Sequence, residues 1–481
     1  MARESCPICR RSIPAHRFLL PSEKDAAIWR MLAENYPRHT FAHGVCPSCY
    51  ETSRRLWRQL NRDRQKIGRD GSWILPLSWR LAVDDRYAGR GVTLASLDSG
   101  FYLHPDLVRP ENRVVAYVNI LRQEVDQQTL WREVSEPNQD AWHGLMTSVI
   151  AAGNGFLSGG VYRSLAPQAR LVLVKVGSIH RIRHDDIRRG IEWVISHREQ
   201  YDIRVLNISC GGDYEASYLT DSLSRAAEEA VRRGIVVIAA AGNKGEERGH
   251  PVLPPASAPA VITVGGLDDG NQLDWSGYRL YHSSYGPTVD GLQKPEIIAP
   301  SIWLPAPILP GTPVARRAAL LDQLDRASDE RLKAILDANR GIEPELDACI
   351  DRPVSELRAE IRRLKRHRHV ISAHYQHVDG TSFAAPIVAS VVAQMLEANP
   401  DLTPQQVKLA LIRTARRLPQ VSVDRQGWGV INPRAAIARA RRAKRSPVRA
   451  SANPAGIPDE RGHLDSDWRA QGEKERRDDH G

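Results

Sequence analysis

The feature that most restricts the fold is an alternation along the chain. Short apolar, β-branched runs are followed by stretches of helical period. The runs Thr93–Leu97, Leu171–Val176, Val205–Ser209, Val236–Ala240 and Val261–Val264 are each about one strand long. They are apolar at nearly every position, not at every second one, so both faces of each strand must be covered. The stretches Gly144–Ala152, Asp185–His197 and Tyr218–Arg233 read as helices, the last closed by Gly234. Strands joined through helices lie parallel, so the pattern predicts an α/β fold: a parallel sheet with helices on both faces. In such sheets, polar residues at the carboxyl ends of strands converge on one edge, where ligands bind.

Several runs end in residues that can do chemistry. Thr93–Leu97 leads into Asp98-Ser99-Gly100, which places a carboxylate at a buried strand end. Trp142-His143-Gly144 puts a histidine in the first turn of a helix. Val236–Ala240 runs into Ala241-Gly242-Asn243-Lys244-Gly245. Val378-Asp379-Gly380-Thr381-Ser382-Phe383-Ala384-Ala385-Pro386 reads as a tight turn opening a buried helix from Ile387 to Leu396. Ser382 would then lie beside the unsatisfied N–H groups and positive dipole end of that helix, which suits a nucleophile whose attack creates an oxyanion. Each residue also has an ordinary structural use. Serine is a common N-cap, aspartate and asparagine are common turn residues, and a lone histidine is more often structural than catalytic.

Taken together, the four motifs occur in the order Asp, His, Asn, Ser, and from Trp73 to Ala440 the chain resembles the subtilisin-like serine proteases, the subtilases. The resemblance implies a subtilisin-like parallel sheet and serine endopeptidase chemistry through an acyl-enzyme. It assigns Ser382 as nucleophile, His143 as base and then acid, and Asp98 as the group that orients His143. The side chain of Asn243 and the N–H of Ser382 would bind the oxyanion. By the same resemblance, Ser209-Cys210-Gly211-Gly212 would pair with extended substrate, and Ala240-Ala241-Gly242 would wall the specificity pocket. Lys244 would border that pocket and disfavour basic P1 side chains. Leu145 departs from the family, which usually has Thr after His-Gly. His104-Pro105-Asp106-Leu107 matches a family segment without triad chemistry. Catalysis of this kind needs no cofactor, and its partners are protein or peptide substrates.

The remaining segments are distinctive to this chain. Residues 1–70 read as a separate module with two CxxC knuckles, Cys6-Pro7-Ile8-Cys9 and Cys46-Pro47-Ser48-Cys49, and a helix around Ala26 to Tyr36 between them. Four thiolates suit a tetrahedral structural zinc, against a redox pair or unligated thiols. Tyr50 to Arg69 reads as a basic helix with Leu56, Trp57 and Leu60 on one stripe. Within the catalytic domain (71–440), residues 301–377 form an insertion. Leu332, Ile335 and Leu336 mark one amphipathic helix there, and Leu357, Ile361 and Leu364 another. Those stripes need each other, the catalytic domain or another protein, so a regulatory protein partner could dock there or on the N-terminal module. Residues 441–481 are polar and read as a disordered tail.

Six cysteines, four of them in CxxC pairs, no apolar leader after Met1 and no run approaching the roughly 18 apolar residues of a membrane span predict a cytoplasmic protein without a membrane segment. The net charge of +10 is spread along the chain, which gives little support to nucleic-acid binding. The rival classes are a catalytically silent zinc-dependent adaptor and a nucleic-acid-binding protein on the same scaffold.

Overall fold

A computed structural model describes residues 3–8, 12–35, 40–47, 49–51, 53–54, 57–58, 74–83, 86–122, 126–273 and 277–443. Cys9, most of the stretch Tyr50 to Arg69, and the tail from Lys444 lie outside the described residues.

In the N-terminal module, β1 (Arg3–Ser5) and β2 (Ser12–Pro14) form an antiparallel pair. The expected helix follows at Ala26–Asn35. Ile28, Trp29, Leu32, Val45, Tyr50 and the thiols of Cys6 and Cys46 make a small core of their own. Met31 reaches outward to Leu75 and Leu273, so the module packs against the rest of the chain.

The predicted sheet is present. Its strands are β3 (Thr93–Asp98), β4 (Val114–Asn119), β5 (Arg170–Lys175), β8 (Ile203–Ile208), β9 (Val236–Ala240), β10 (Ile262–Asp268), β11 (Arg279–Leu280) and β12 (Ile297–Pro300). Between β5 and β8 a short hairpin pairs β6 (Gly177–Ser178) with β7 (Arg181–Ile182). The sheet order is β11-β10-β9-β8-β3-β5-β4, with β12 also on β10. All pairs are parallel except β10 with β11. The alternation along β3 explains the two-sided burial. Leu94 joins the core on one face, and Ala95 and Leu97 join the core on the other. Helices Ala141–Ala152 and Thr381–Ala398 cover the first face, and His184–Ser196 and Ser222–Arg232 cover the second.

Two expectations are corrected. The edge strand β4 escaped the sequence pattern because only part of it is buried. The statement that no run approaches membrane-span length also fails. The helix Thr381–Ala398 has 18 residues at mean hydropathy 1.3, but 83% of it is buried in the protein, where it is the central core helix.

The insertion is more structured than two stripes suggest. It opens on β13 (Leu304–Pro307) and returns through β14 (Val370–Ser372) and β15 (Tyr375–Val378), which form an antiparallel sheet in the order β13-β15-β14. Between them lie helices Pro313–Arg326, Leu332–Ala338 and Val354–His367. Leu332, Ile335, Leu336, Leu357, Ile361 and Leu364 share one core with Leu320, Leu321 and Leu324, so the two stripes find each other. The segment before β3 anchors the insertion's root. Arg80 makes a fully buried bidentate pair with Asp269 at 2.7 and 2.8 Å and also donates to the carbonyls of Ile302 and Trp303.

Candidate active site

The carboxyl end of β3 delivers Asp98 at 0% exposure. A buried carboxylate needs several donors. The Ser99 N–H donates to Oδ1 at 2.8 Å, and His143 Nδ1 lies 2.8 and 3.0 Å from the two oxygens. Because carboxylate oxygens only accept, the His143 proton sits on Nδ1 and Nε2 is left as the acceptor. A Cβ at Gly144 would collide with the carbonyl oxygen of Gly100, so a glycine here allows the His143 helix to approach β3 closely enough for this contact. Ser99 Oγ donates to the carbonyl of Asp140 at 2.9 Å and ties the helix entry to the same strand end.

Burial works against a charged His143, but the Asp98 charge and its hydrogen bond outweigh that effect. The imidazole is therefore held above its ordinary value. Phe383 and Trp142 flank its ring at centroid distances of 5.5 and 5.3 Å.

Ser382 is the second residue of its helix, as expected. Its hydroxyl donates to the carbonyl of Ser209 at 3.1 Å, and Ser209 Oγ donates back to the Ser382 carbonyl at 2.8 Å. The expected Ser382–His143 hydrogen bond is not formed in this structure. Serine side chains turn readily between staggered rotamers, and catalytic hydrogen bonds often tighten only when substrate is bound.

Asn243 follows β9 on an exposed turn. Its Oδ1 accepts from the N–H of Thr381 at 3.0 Å and from the Thr381 hydroxyl at 2.9 Å. With the oxygen so held, the NH₂ end is the one left to donate. Gly242 beside it has φ +100°, and a Cβ there would come within 2.8 Å of Ser284 Oγ, so the turn requires glycine on both counts.

The other expected residues lie close by. Ser209 to Gly212 continue from the end of β8, and Gly211 is exposed, whereas the Gly212 N–H is already taken by the Pro254 carbonyl at 2.7 Å. Burial pushes the Cys210 thiol well up, with the Asp98 charge adding to the effect, so it stays protonated, and its side chain packs against the core of the second sheet face. Ala240, Ala241 and Gly242 run from β9 toward Asn243, and the Ala241 N–H is held by the carbonyl of Val264. Lys244 is exposed and pairs with Glu247 at 3.3 Å. Leu145 points into the core at 0% exposure. His104 is buried, which lowers its pKa, and its Nδ1 accepts from the Asp106 N–H.

Sequence reasoning missed two donors. Thr381 sets the direction of the Asn243 amide, and Thr147 Oγ1 donates to Asp98 Oδ2 at 2.9 Å. The second had a sequence signal, because Thr147 stands four residues after His143 and so on the same helix face.

In the N-terminal module, the Sγ atoms of Cys6, Cys46 and Cys49 lie within 4.8 Å of one another. Ligands at about 2.3 Å from a tetrahedral zinc would lie at comparable separations. The Cys46 N–H points at Cys6 Sγ at 3.5 Å, a contact suited to a thiolate.

The subtilase family model matches residues 89–429, and the chain belongs to that family. It is 31% identical over 357 residues to Serine protease AprX of Bacillus subtilis (strain 168), covering 72% of this chain and 65% of that protein. It is 32% identical over 231 residues to Subtilisin E of the same organism, covering 47% of this chain and 51% of that one. The chain thus spans less than two thirds of the length of these relatives. Fervidolysin from Fervidobacterium pennivorans, described as a keratinolytic enzyme related to subtilisin, shares the fold. Its TM-score is 0.50 at 21% identity, over 76% of this chain and 45% of that one.

Proposed function

We propose that the protein is a serine endopeptidase acting through an acyl-enzyme, with Ser382, His143 and Asp98 as the triad. The observation that carries this is a convergence. The Asp98–His143 pair, a serine at a helix N-terminus and an asparagine amide held by its oxygen come from four separate elements to one sheet edge. Ser382 Oγ turns from Ser209 toward His143 and attacks the peptide carbonyl while His143 Nε2 takes its proton. The new oxyanion is met by the Ser382 N–H and by Asn243 Nδ2. His143 then protonates the leaving amine, and water repeats the sequence to release the acid. Ser209 to Gly212 supply the edge along which an extended substrate lies.

The test is fluorophosphonate labelling together with peptide hydrolysis and proteomic mapping of cleavage sites. Wild type is expected to label and cleave, and Ser382→Ala and His143→Ala to stay folded and do neither. Unchanged hydrolysis in Ser382→Ala refutes the assignment, and a folded wild type that never labels favours the silent adaptor.

A structural zinc held by Cys6, Cys9, Cys46 and Cys49 completes the proposal. The Cys6, Cys46 and Cys49 thiols cluster, and four thiolates would fix a module whose own core is small. Elemental analysis is expected to find about one zinc per chain, lost in the Cys46→Ala/Cys49→Ala variant. We place the reaction in the cytoplasm, where cysteine thiols stay reduced and available to a metal.

A further inference from the structure

The Asp98 carboxylate has one more partner than the triad assignment uses, and that partner carries the inference. Thr147 is fully buried, and its Oγ1 lies 2.9 Å from Asp98 Oδ2. The same hydroxyl lies 3.2 Å from the carbonyl of Gly144. It has a single proton, and a carboxylate is the stronger acceptor, so the shorter contact takes it.

Oδ1 already has the Ser99 N–H at 2.8 Å. Apart from His143, Oδ2 is held by Thr147. With one donor on each oxygen, the carboxylate plane is fixed against rotation about its Cβ–Cγ bond. His143 Nδ1 sits 2.8 and 3.0 Å from the two oxygens, and that nearly even approach requires a fixed plane. Thr147 and His143 stand on the same helix, one turn apart, and both bond to Asp98. A single rigid element therefore presents the imidazole and the group that aligns the imidazole's partner.

We infer that Thr147 is a positioning residue for the proteolytic reaction: its hydroxyl holds Asp98 in the orientation that keeps the His143 imidazole aimed at Ser382. This rests on the triad assignment proposed above. The hydroxyl touches neither substrate nor the reacting atoms and acts through Asp98 alone.

Thr147→Val keeps the shape of the side chain and removes the donor. Once the carboxylate can swing, the imidazole loses alignment, and kcat should fall roughly 10- to 100-fold, the scale of a small misplacement of a reacting group. KM should stay near wild type, because substrate contacts are untouched. The acid limb of kcat/KM should also move to lower pH. A carboxylate that swings loses part of the hydrogen bond that holds the charged imidazole above its ordinary value. Thr147→Ser, which keeps the hydroxyl, should restore both kcat and the limb.

The experiment measures full pH profiles of kcat and KM for wild type, Thr147→Val, Thr147→Ser and Ser382→Ala, with thermal unfolding of each as a check on folding. If Thr147→Val does not fold, Thr147→Ala is measured in its place. The inference is overturned by a wild-type kcat and limb in the hydroxyl-free variant. It is also overturned by a loss of kcat with the limb unmoved, or by a loss that serine does not rescue, since either would mark a packing effect. The Ser382→Ala arm separates the two levels. Residual wild-type activity there removes the triad itself, whereas an inactive Ser382→Ala beside an unaffected Thr147→Val removes only the role of Thr147.

Discussion

Tyr375→Phe should destabilise the protein measurably, although Tyr375 is not one of the triad residues. Tyr375 is 1% exposed, and its hydroxyl donates to Asp106 Oδ2 at 2.6 Å. Asp106 is itself 0% exposed, and its Oδ1 is taken by the Leu157 N–H at 3.0 Å. Removing the hydroxyl leaves a buried carboxylate oxygen short of its donor, a loss of about 1.5–3 kcal/mol for a hydrogen bond to a charged group. The effect should also depend on pH in a defined way. Burial first, and then the Asp106 charge, push the Tyr375 phenol far above its ordinary value. A group raised on folding stabilises fully below its unfolded pKa, about 10 for tyrosine, and the stabilisation is lost as pH rises beyond it. The loss is about 1.4 kcal/mol per pH unit, so the gap between wild type and Tyr375→Phe should close within roughly two units above pH 10. The assay is urea unfolding at pH 7 and from pH 9 to 11.5, with both proteins carrying Ser382→Ala to prevent self-digestion. Equal midpoints at pH 7, or a gap that stays constant to pH 11.5, would refute the reasoning.

Three further outcomes are expected. Asn243→Ala should lower kcat by roughly 10²–10³ with little change in KM, a magnitude taken from the same donor in subtilisin, and steady-state kinetics on a peptide substrate checks it. The acid limb of kcat/KM should lie above the ordinary imidazole value of about 6.5, because Asp98 holds His143 above it and the neutral base is lost as pH falls through the raised value; the stability contributed by the same pair runs the other way, being full at low pH and lost as pH rises, and a limb at or below 6.5 contradicts the cause given. Lys244→Glu should change the ratio of P1 Arg to P1 Glu cleavage less than a buried charge would, since Lys244 is exposed and already paired with Glu247, and a change beyond about tenfold would show that this rim is drier than the structure indicates.

The sheet was legible because its strands are buried on both faces, a demand that only parallel packing between helices makes of a sequence. Where burial is incomplete, as in β4, whose Val115 is exposed, the pattern fades and the strand was not read. The site was legible for a related reason. Asp98 and Asn243 stand just past the end of an apolar run and Ser382 just before one begins, and an abrupt polar residue at such a boundary is visible without coordinates. What the sequence did not disclose is orientation. Thr381 decides which end of the Asn243 amide is free, and Thr147 decides how the Asp98 plane lies, through contacts that join residues far apart or sit inside an otherwise apolar helix. The Ser382 hydroxyl bonding to Ser209 is likewise a matter of rotamer, which composition does not encode. In the insertion, the stripes of the second and third helices were read, but Pro313–Arg326 was not. Its buried face includes Asp322 and Asp325, and Lys365, itself 0% exposed, pairs with Asp325 at 2.8 Å. The polar residues hid the amphipathic pattern.

The insertion's place in the chain raises the question of how so long an excursion can end beside a nucleophile without disturbing it. The ladder at its base answers this. Leu304 pairs with Val378 and Pro307 with Tyr375, so the outgoing and returning strands are joined before the helices begin. Closing a loop costs entropy that grows slowly with its length, and a closed base makes the rest of the loop nearly irrelevant to its ends. Above that base, the helices have their own core and do not borrow from the sheet's. Below it, the Gly380 N–H donates to the Ser301 carbonyl at 2.8 Å, which fixes the last residue before the nucleophile helix to the first residue after β12. The position of Ser382 is thus set by the two ends of the insertion, and the helical part can vary in sequence without moving it. The coupling that remains runs through the returning strand. Tyr375 belongs to β15, three residues before Val378, and its bond to Asp106 fixes that strand against the segment that follows β3. Asp98 lies at the end of β3 and Asp106 shortly after it. The same stretch of chain therefore supplies the carboxylate that orients His143 and the carboxylate that anchors the strand leading to Ser382. Loss of the Tyr375 hydroxyl should for this reason lower stability more than activity at temperatures where the fold is intact.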